Sequence, residues 1–371
     1  MSQQNQLLRV LHVFGRLDRG GAELRTVELA ESFRRKRVRS DFLVLTGLEG
    51  ALDERVRTAG GDVIKCPLGR RFPASFYRLL RTRRYDVVHS HVHYFSGVIL
   101  TIARVAGTPG RVAHFRTAVV NDKRATRRRH VQLALCRRLV DLAATDILAV
   151  GEGAMRGAWG AHWKSDPRCR VVYSGIPSER LRPAVGPPSD LPTIVNVASL
   201  QPLKNQLRLI EILRRCVPQV PGLRLLLIGR EVGEYGWKVR RAAADAGLSD
   251  RVHLVGEVDD PMPWIAGANL MILPSLWEGL PGAALEACAL GIPVLASDLP
   301  GTQELSGHFP HLTVMSLEDG DEAWATAAVR LIRDGVKPGV DAVACLANSP
   351  FTLARSRESH FEIWSRARAS A

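Results

Sequence analysis

Short apolar runs alternate with amphipathic helical segments along almost the whole chain, and this alternation constrains the fold more than any other feature. In the first half the runs include LRVLHVF (8–14), YDVVHSH (85–91) and RVAHFRT (111–117). In the second half TIVNVASL (193–200) and LMILPS (270–275) continue the pattern. Strands separated by helices form parallel sheets through right-handed crossovers. The alternation therefore predicts α/β architecture with parallel sheets.

A proline-rich stretch, IPSERLRPAVGPPSDLP, separates two such series and is typical of a linker. A chain of 371 residues also exceeds what one hydrophobic core usually supports. We predict two doubly wound, Rossmann-like domains that face each other across a cleft. Their expected limits are 1–177, a linker at 178–192, and 193–351, with a helix at about 352–371 that packs back on the first domain. Ligands of such sheets bind outside the carboxyl ends of the strands, so functional residues should lie in strand-to-helix loops.

Composition narrows the class of protein. The six cysteines are scattered with no CxxC pair, which disfavours a zinc site or a disulfide scaffold and favours a reducing compartment. The N-terminus lacks a basic-then-apolar leader, and no apolar run reaches the length of a membrane span, so we expect a cytoplasmic protein.

The net charge of +14 is concentrated in basic clusters at 34–39, 69–84 and 123–138. Such clusters suit anionic lipid or phosphorylated substrates, and a solvated surface explains them equally well. Because no nucleic-acid motif accompanies the charge, we predict no nucleic-acid partner.

The first half of the chain contains three candidates for binding or catalytic residues. Gly20 and Gly21 lie between the first strand and a helix, where exposed amides favour a phosphate, although a simple tight turn is an alternative. The row His89, His91 and His93 suggests a metal site, but no carboxylate or cysteine stands at ligand spacing, and we predict none. His114, near a strand end, is a candidate catalytic residue, with a satisfied core histidine as the competing interpretation.

In the second half, Lys204 lies between a strand and a helix, where a cation would meet a diphosphate. Glu278 and Glu286 lie on either side of the start of a helix near Gly282. A carboxylate can accept two vicinal ribose hydroxyls, and the amides from Leu280 through Pro281 and Gly282 to Ala283 would favour a phosphate. A surface lysine and an ordinary surface helix are the simpler interpretations.

An ordered set of segments covers nearly the whole chain: GGAE (20–23), DVVHSH (86–91), RVAHFRT (111–117), ILAVGEGA (147–154), VVYSGIP (171–177), LKN (203–205), VHLVGEVDD (252–260) and PSLWEGLPGAALEACALGIPVLAS (274–297). Taken together, these segments resemble the retaining glycosyltransferases of family four, of the type that builds exopolysaccharide or lipopolysaccharide. Glu278 and Glu286 match the family's E-x7-E motif. The resemblance implies the GT-B fold and transfer from a nucleotide-diphosphate sugar to a lipid-linked or oligosaccharide acceptor, with no cofactor and no required metal.

The resemblance also implies roles for single residues. The C-terminal domain would bind the donor and the N-terminal domain the acceptor. The basic clusters of the acceptor domain would hold it against an anionic membrane surface. The implied contacts are Glu286 with the ribose, Glu278 with a sugar hydroxyl, Lys204 and the Gly21 amide with the diphosphate, His114 with the reacting sugar, and the segment from Gly256 to Val258 with the base.

One departure from the family concerns the usual G-R-L-x-x-x-K segment, in which Ser199 replaces the arginine. The second phosphate cation is then missing or supplied elsewhere, with Arg208 and Arg230 as candidates. Two other functions therefore stay open. One is a degenerate nucleotide-sugar-binding or assembly subunit. The other is a nucleotide-sugar epimerase, which lacks this order of motifs.

Overall fold

The structure, a computed structural model, describes residues 7–33, 38–117, 126–181, 191–335 and 341–369. Parts of two basic clusters (34–37 and 123–125) and most of the predicted linker (182–190) lie outside the described residues. The chain divides into two compact units. The first unit comprises Met1–Gly175 with Thr352–Ala371, and the second unit comprises Ile176–Phe351.

The first unit contains a seven-stranded parallel sheet with the strand order β3-β2-β1-β4-β5-β6-β7. Its strands are β1 Leu8–Phe14, β2 Val38–Val44, β3 Val63–Lys65, β4 Val87–Ser90, β5 Gly110–Phe115, β6 Asp146–Ala149 and β7 Cys169–Val171. Its first six helices are α1 Gly21–Ser32, α2 Asp53–Thr58, α3 Phe72–Arg83, α4 Ser96–Val105, α5 Arg127–Ala143 and α6 Glu152–Trp159. The central strands are buried on both faces, as expected for a parallel sheet covered by helices.

The second unit contains a six-stranded parallel sheet with the order β10-β9-β8-β11-β12-β13. Its strands are β8 Thr193–Val197, β9 Arg224–Ile228, β10 Val252–Gly256, β11 Leu270–Leu273, β12 Val294–Ser297 and β13 Leu312–Met315. Its helices are α7 Gln206–Cys216, α8 Tyr235–Asp245, α9 Met262–Ala266, α10 Gly282–Ala289, α11 Pro300–Ser306, α12 Gly320–Asp334 and α13 Ala342–Asn348. The predicted fold class, α/β with two doubly wound sheets, is confirmed.

The last helix, α14 Leu353–Ala369, packs on the first unit against α1, β4 and β5. Its Trp364 is fully buried, with its ring centroid 5.4 Å from that of Phe33. The chain re-enters the first unit beside Gly175, where an added Cβ would lie 2.3 Å from the backbone of Thr352. Only glycine permits this approach.

In each sheet the strand order reverses at one position. The reversal lies between β1 and β4 in the first unit and between β8 and β11 in the second. The loops that follow two such strands diverge, which leaves a crevice at their carboxyl ends where ligands of α/β sheets bind. None of the described helices has the length and apolar character needed to cross a membrane.

Candidate functional site

Lys204 and Glu278 meet at the strand reversal of the second unit. Lys204 ends the short 3₁₀ turn after β8, and Glu278 lies in the loop after β11. The lysine Nζ is 2.7 Å from Glu278 Oε1, and the two side chains are 19% and 12% exposed. Ser275 Oγ donates to the same carboxylate oxygen at 2.8 Å. A cation and a carboxylate are therefore held together at the edge where the fold binds ligands.

The two loops that carry this pair are bound to each other. Asn205 adopts a left-handed conformation (φ 56°) at the start of α7, and its Nδ2 donates to the carbonyl oxygen of Pro274 at 3.1 Å. The amide of Leu276 donates to the carbonyl oxygen of Leu203 at 2.9 Å. These bonds position Lys204 and Glu278 through the backbone as well as through their own contact.

Glu286 lies in the second turn of α10 and is buried. Arg180 Nη1 is 3.9 Å from Glu286 Oε1, and Arg180 Nη2 donates to Asp260 Oδ1 at 2.5 Å. Asp260 in turn accepts from the amide of Met262 at the start of α9. Arg180 therefore connects the ribose-binding candidate with the loop after β10. Its position in the predicted linker offered no sequence signal for this contact.

The turn before α10 is fixed by a close backbone approach. A Cβ on Gly301 would lie 1.7 Å from the carbonyl oxygen of Gly279, so the turn fits only because residue 301 is glycine. Pro281 precedes the eight-residue helix, whose first amides have no acceptor within the helix itself. Leu280, Gly282 and Ala283 thus lie where a helix start favours a phosphate.

The two candidates for the missing phosphate cation differ in placement. Arg208 faces α12, with its Nε 2.9 Å from Asp321 Oδ1 and its guanidinium 5.2 Å from the centre of the Trp324 ring. Arg230 is exposed, and its carbonyl oxygen accepts from the amide of Leu200 in the loop that carries Ser199. The Arg208 side chain is thus engaged by Asp321 and Trp324, and a role of Arg230 as the second phosphate cation stays a prediction.

Gly256 and Val258 lie at the end of β10 and in the loop after it, two strands from β8. Gly256 has φ 85°, and its carbonyl oxygen accepts from the amide of Gly229 at 2.8 Å. A Cβ on Gly229 would lie 2.2 Å from the carbonyl oxygen of Ala198. Glycines thus bring the ends of β8, β9 and β10 close together on this side of the site.

In the first unit, Gly20 and Gly21 begin the twelve-residue helix α1. The Glu23 carboxylate folds back over Gly20, because a Cβ on Gly20 would lie 2.1 Å from Glu23 Oε2, whereas a Cβ on Gly21 would meet no atom within 4 Å. A negative group therefore lies beside the helix start where the resemblance places a phosphate. Phosphate contact with the Gly21 amide stays a prediction.

The core of the same unit contains a buried histidine network. His89 Nε2 lies 3.0 Å from His114 Nδ1, and His12 Nδ1 lies 3.2 Å from His91 Nε2. Hydrogen bonds from two other side chains determine which ring nitrogen of His89 and of His91 carries the proton. Trp364 Nε1 donates to His89 Nδ1 at 3.3 Å, and Arg116 Nε donates to His91 Nδ1 at 3.2 Å.

Since each of these two Nδ1 atoms accepts a hydrogen bond, each of the two rings carries its proton on Nε2. His89 then donates to His114 and His91 donates to His12. The far nitrogens, His114 Nε2 and His12 Nε2, must carry protons, and neither has a hydrogen-bond partner within the described residues.

Two groups of three histidines have ring nitrogens close enough to one another to hold a metal ion. They share His89 and consist of His12, His89 and His91 and of His89, His114 and His360. A metal needs free imidazole lone pairs, whereas the hydrogen bonds from Trp364 and Arg116 occupy Nδ1 of His89 and His91 and leave the protons of His12, His89, His91 and His114 on Nε2. His360 Nδ1 donates to the carbonyl oxygen of Ser356 at 2.7 Å, so His360 Nε2 keeps its lone pair. The Arg116 cation also contacts the cluster and would repel a metal ion. The residues therefore fit a neutral hydrogen-bonded network better than a metal site.

Burial lowers the pKa of His12, His89, His91 and His114 well below the usual value and lowers the pKa of His360 to about 4. His114 is only 1% exposed. His114 therefore belongs to the buried histidine network, and the contact with the reacting sugar that the resemblance implied stays a prediction. His93 lies in the 3₁₀ turn after β4, with its ring centroid 5.3 Å from that of Phe115.

Arg116, which sequence reasoning did not single out, lies at the carboxyl end of β5. Its guanidinium donates to Thr26 Oγ1 at 2.8 Å and to Ser174 Oγ at 3.1 Å, besides His91. Burial lowers its pKa to about 10. Alternate residues of a strand share a face, and Arg116 lies two positions after the candidate His114. This spacing was a sequence signal from which Arg116 could have been identified as a neighbour of the histidines.

Comparisons with known proteins agree with this architecture. A family model described as Glycosyltransferase Family 4 matches residues 19–180, and one described as Glycosyl transferases group 1 matches residues 191–334. The capsular polysaccharide biosynthesis glycosyltransferase CapH of Staphylococcus aureus is 26% identical, over 88% of this chain and 91% of its own.

The chain is also similar to two further proteins, one of them a solved structure. The UDP-Gal:alpha-D-GlcNAc-diphosphoundecaprenol alpha-1,3-galactosyltransferase of Escherichia coli is 26% identical, over 71% of this chain and 70% of its own. The crystal structure of Anabaena Alr3699/HepE in complex with UDP and glucose aligns with a TM-score of 0.80 at 19% identity, over 97% of this chain and 100% of that one. At this identity the structural likeness supports the fold alone.

Proposed function

We propose that this chain, a polysaccharide-biosynthesis glycosyltransferase that belongs to family 4 and has the GT-B fold, transfers a sugar from a nucleotide-diphosphate sugar to a hydroxyl with retention at the anomeric carbon. The observation that carries the proposal is the Lys204–Glu278 contact of 2.7 Å at the strand reversal of the second unit. A cation and a carboxylate held this close support a site that binds a phosphate and a sugar hydroxyl side by side.

Breaking the glycosidic bond leaves negative charge on the departing diphosphate. Lys204 and the amides at the start of α10 would stabilise that charge more in the transition state than in the ground state. Glu278 would accept a hydrogen bond from a sugar hydroxyl, and Glu286 would bind the ribose. Because these groups supply the required charge, the proposal includes no metal and no other cofactor.

The proposed acceptor is a lipid-linked or growing polysaccharide, bound by the first unit on the cytoplasmic side of the membrane. Support comes from the Escherichia coli relative, whose name specifies a diphosphoundecaprenol acceptor. Support for a uridine donor comes from the same relative, whose name specifies UDP-Gal.

The first test is thermal stabilisation by UDP, GDP and ADP and by their sugar conjugates. A nucleotide at about a hundred times its dissociation constant adds roughly 2.7 kcal/mol to the free energy of unfolding. We expect stabilisation by one nucleotide class in the wild type and little in Glu286→Gln. Glu211→Gln, which alters an exposed glutamate on α7, is the matched control and should keep the full effect.

Two outcomes would change the proposal. No stabilisation by any nucleotide in the folded protein would contradict it. Binding without transfer or donor hydrolysis would instead favour a nucleotide-sugar-binding assembly subunit. The Ser199 replacement is the specific observation behind that second candidate.

A further inference from the structure

Three buried hydroxyl groups form a series of hydrogen bonds that ends at Glu278. Ser275, Ser297 and Thr302 are each 1% exposed. Thr302 Oγ1 donates to the carbonyl oxygen of Ser297 at 2.6 Å, and Ser297 Oγ donates to the carbonyl oxygen of Ser275 at 2.6 Å. Ser275 Oγ then donates to Glu278 Oε1 at 2.8 Å. The series therefore connects the first turn of α11 with the carboxylate of the candidate site.

The backbone of Ser275 is held by three separate contacts. Its own carbonyl oxygen accepts from Ser297, which ends the neighbouring strand β12. The carbonyl oxygen of the preceding residue accepts from Asn205 Nδ2, and the amide of the following residue donates to the carbonyl oxygen of Leu203. The Ser275 hydroxyl therefore starts from a fixed position.

Lys204 and Ser275 donate to the same oxygen of Glu278. The distances to Oε1 are 2.7 Å from the lysine Nζ and 2.8 Å from the serine Oγ. A carboxylate oxygen has two lone pairs, so these two bonds fill Oε1. Among the residues that the structure describes, none donates a hydrogen bond to Oε2. Oε2 is thus the atom left for a sugar hydroxyl.

The two donors differ in how they would respond to a bound diphosphate. Lys204 is a cation, so a phosphate competes with Glu278 for it. The Ser275 hydroxyl is neutral and buried, so it keeps its bond to Oε1. Once the lysine turns to the diphosphate, this hydroxyl is the group that still fixes the carboxylate. Of the three hydroxyls in the series, Ser275 alone donates to a charged side chain, whereas the other two donate to backbone carbonyls.

We propose that Ser275 is a positioning residue for sugar transfer, whose hydroxyl holds Glu278 Oε1 so that Oε2 accepts from a hydroxyl of the donor sugar. The inference rests on the proposed function, because it assigns a task to the same carboxylate. A purely structural serine would contribute to the stability of the loop and leave the kinetics of transfer unchanged.

The first part of the test needs no donor. It compares crystal structures of the ligand-free wild type, Ser275→Ala and Ser275→Thr. In Ser275→Ala we expect the Glu278 carboxylate to rotate until both of its oxygens contact Lys204, because the bond that holds Oε1 is gone. Ser275→Thr keeps the hydroxyl and should keep the wild-type orientation. An unchanged carboxylate in Ser275→Ala would overturn the proposal.

The second part measures transfer with the UDP, GDP or ADP sugar that stabilises the wild type. Ser275→Ala should lower kcat by about tenfold or more with little change in KM, because a misplaced group acts mainly on the reacting geometry. Stabilisation by the nucleotide diphosphate alone should stay as in the wild type, because that ligand lacks the transferred sugar. Ser275→Thr should recover most of kcat, whereas Ser275→Val, which has the same shape without the hydroxyl, should not.

Ser349→Ala is the matched control. Ser349 is another fully buried serine of the second unit, and its hydroxyl donates to the carbonyl oxygen of Leu346 at 2.8 Å. Its loss should lower the melting temperature and leave kcat and KM unchanged.

Two kinetic outcomes would also overturn the proposal. One is wild-type kcat in Ser275→Ala, and the other is equal kcat in the threonine and valine variants. Absence of stabilisation of the wild type by any nucleotide would instead contradict the proposed function, and the ligand-free structures would still show whether Ser275 orients Glu278.

Discussion

Lys204 and Glu278 form a 2.7 Å ion pair between the loops that follow two adjacent parallel strands, although 74 residues separate them in the sequence. The pair lies where the strand order of the second unit reverses. In the absence of donor each group thus neutralises the other. A diphosphate at Lys204 would take over that role and leave Glu278 available to a sugar hydroxyl.

Lys204→Ala should reduce both activity and stability. Without the lysine, Glu278 is a mostly buried carboxylate that keeps the hydrogen bond from Ser275 but lacks its cation, which costs about 1–3 kcal/mol of the free energy of unfolding. Loss of a preorganised charge at the leaving group should lower kcat by about a hundredfold or more. Transfer kinetics and urea denaturation measure the two effects. Lys238→Ala, at an exposed lysine on α8, should change neither, and normal transfer by Lys204→Ala would refute the assigned role.

Arg180→Gln should weaken donor binding more than it slows the chemical step. The arginine lies between Asp260 and Glu286, and its loss removes the cation that faces the buried Glu286 carboxylate. Because a ribose contact is made in both the ground state and the transition state, KM for the donor should rise about tenfold with a smaller change in kcat. Arg214→Gln on α7 is the matched control. A large fall in kcat with KM unchanged would show that Arg180 acts on the reacting atoms instead.

Ser199→Arg restores the residue that the family pattern has at this position. If the site is active and lacks only a cation, the variant should bind nucleotide diphosphates more tightly, by up to about tenfold. The gain should be larger in the Arg230→Gln background if Arg230 supplies the missing charge. Calorimetry of both single variants and of the double variant measures this coupling. Equal gains in the two backgrounds would exclude Arg230 from that role.

The first unit should lose stability in acid through its histidine network. Burial lowers the pKa of these rings in the folded state, to about 4 for His360, so the unfolded chain binds protons first as the pH falls. Their contribution is complete above about pH 6.5 and is lost as the pH falls below that value, by up to about 1.4 kcal/mol per pH unit for each ring.

Denaturant unfolding between pH 8 and pH 4.5 measures this slope. His360→Gln should reduce it by about one proton, whereas His253→Gln, at an exposed histidine, should leave it unchanged. A flat profile in the wild type would show that these rings bind protons equally in the folded and the unfolded state, which would contradict the predicted lowering of their pKa by burial.

Several properties could be predicted from the sequence because they depend on local patterns. Alternation of apolar runs with helical segments is enough to predict parallel sheets, since a buried strand and an amphipathic helix each have a characteristic period. The loop positions of Lys204 and Glu278 followed from the rule that such sheets bind ligands at the carboxyl ends of their strands.

Tertiary structure alone decided which of these residues meet. Lys204 and Glu278 come together because β8 and β11 are neighbours in the sheet, and strand order is not encoded in any local period. Burial is equally non-local. The sequence places His114 near the end of a strand, where a side chain could face a ligand. In the folded chain it is buried, because His89 and the C-terminal helix α14 pack against it and its strand. For the same reason Arg180 could be recognised only after folding had brought a linker residue beside Glu286.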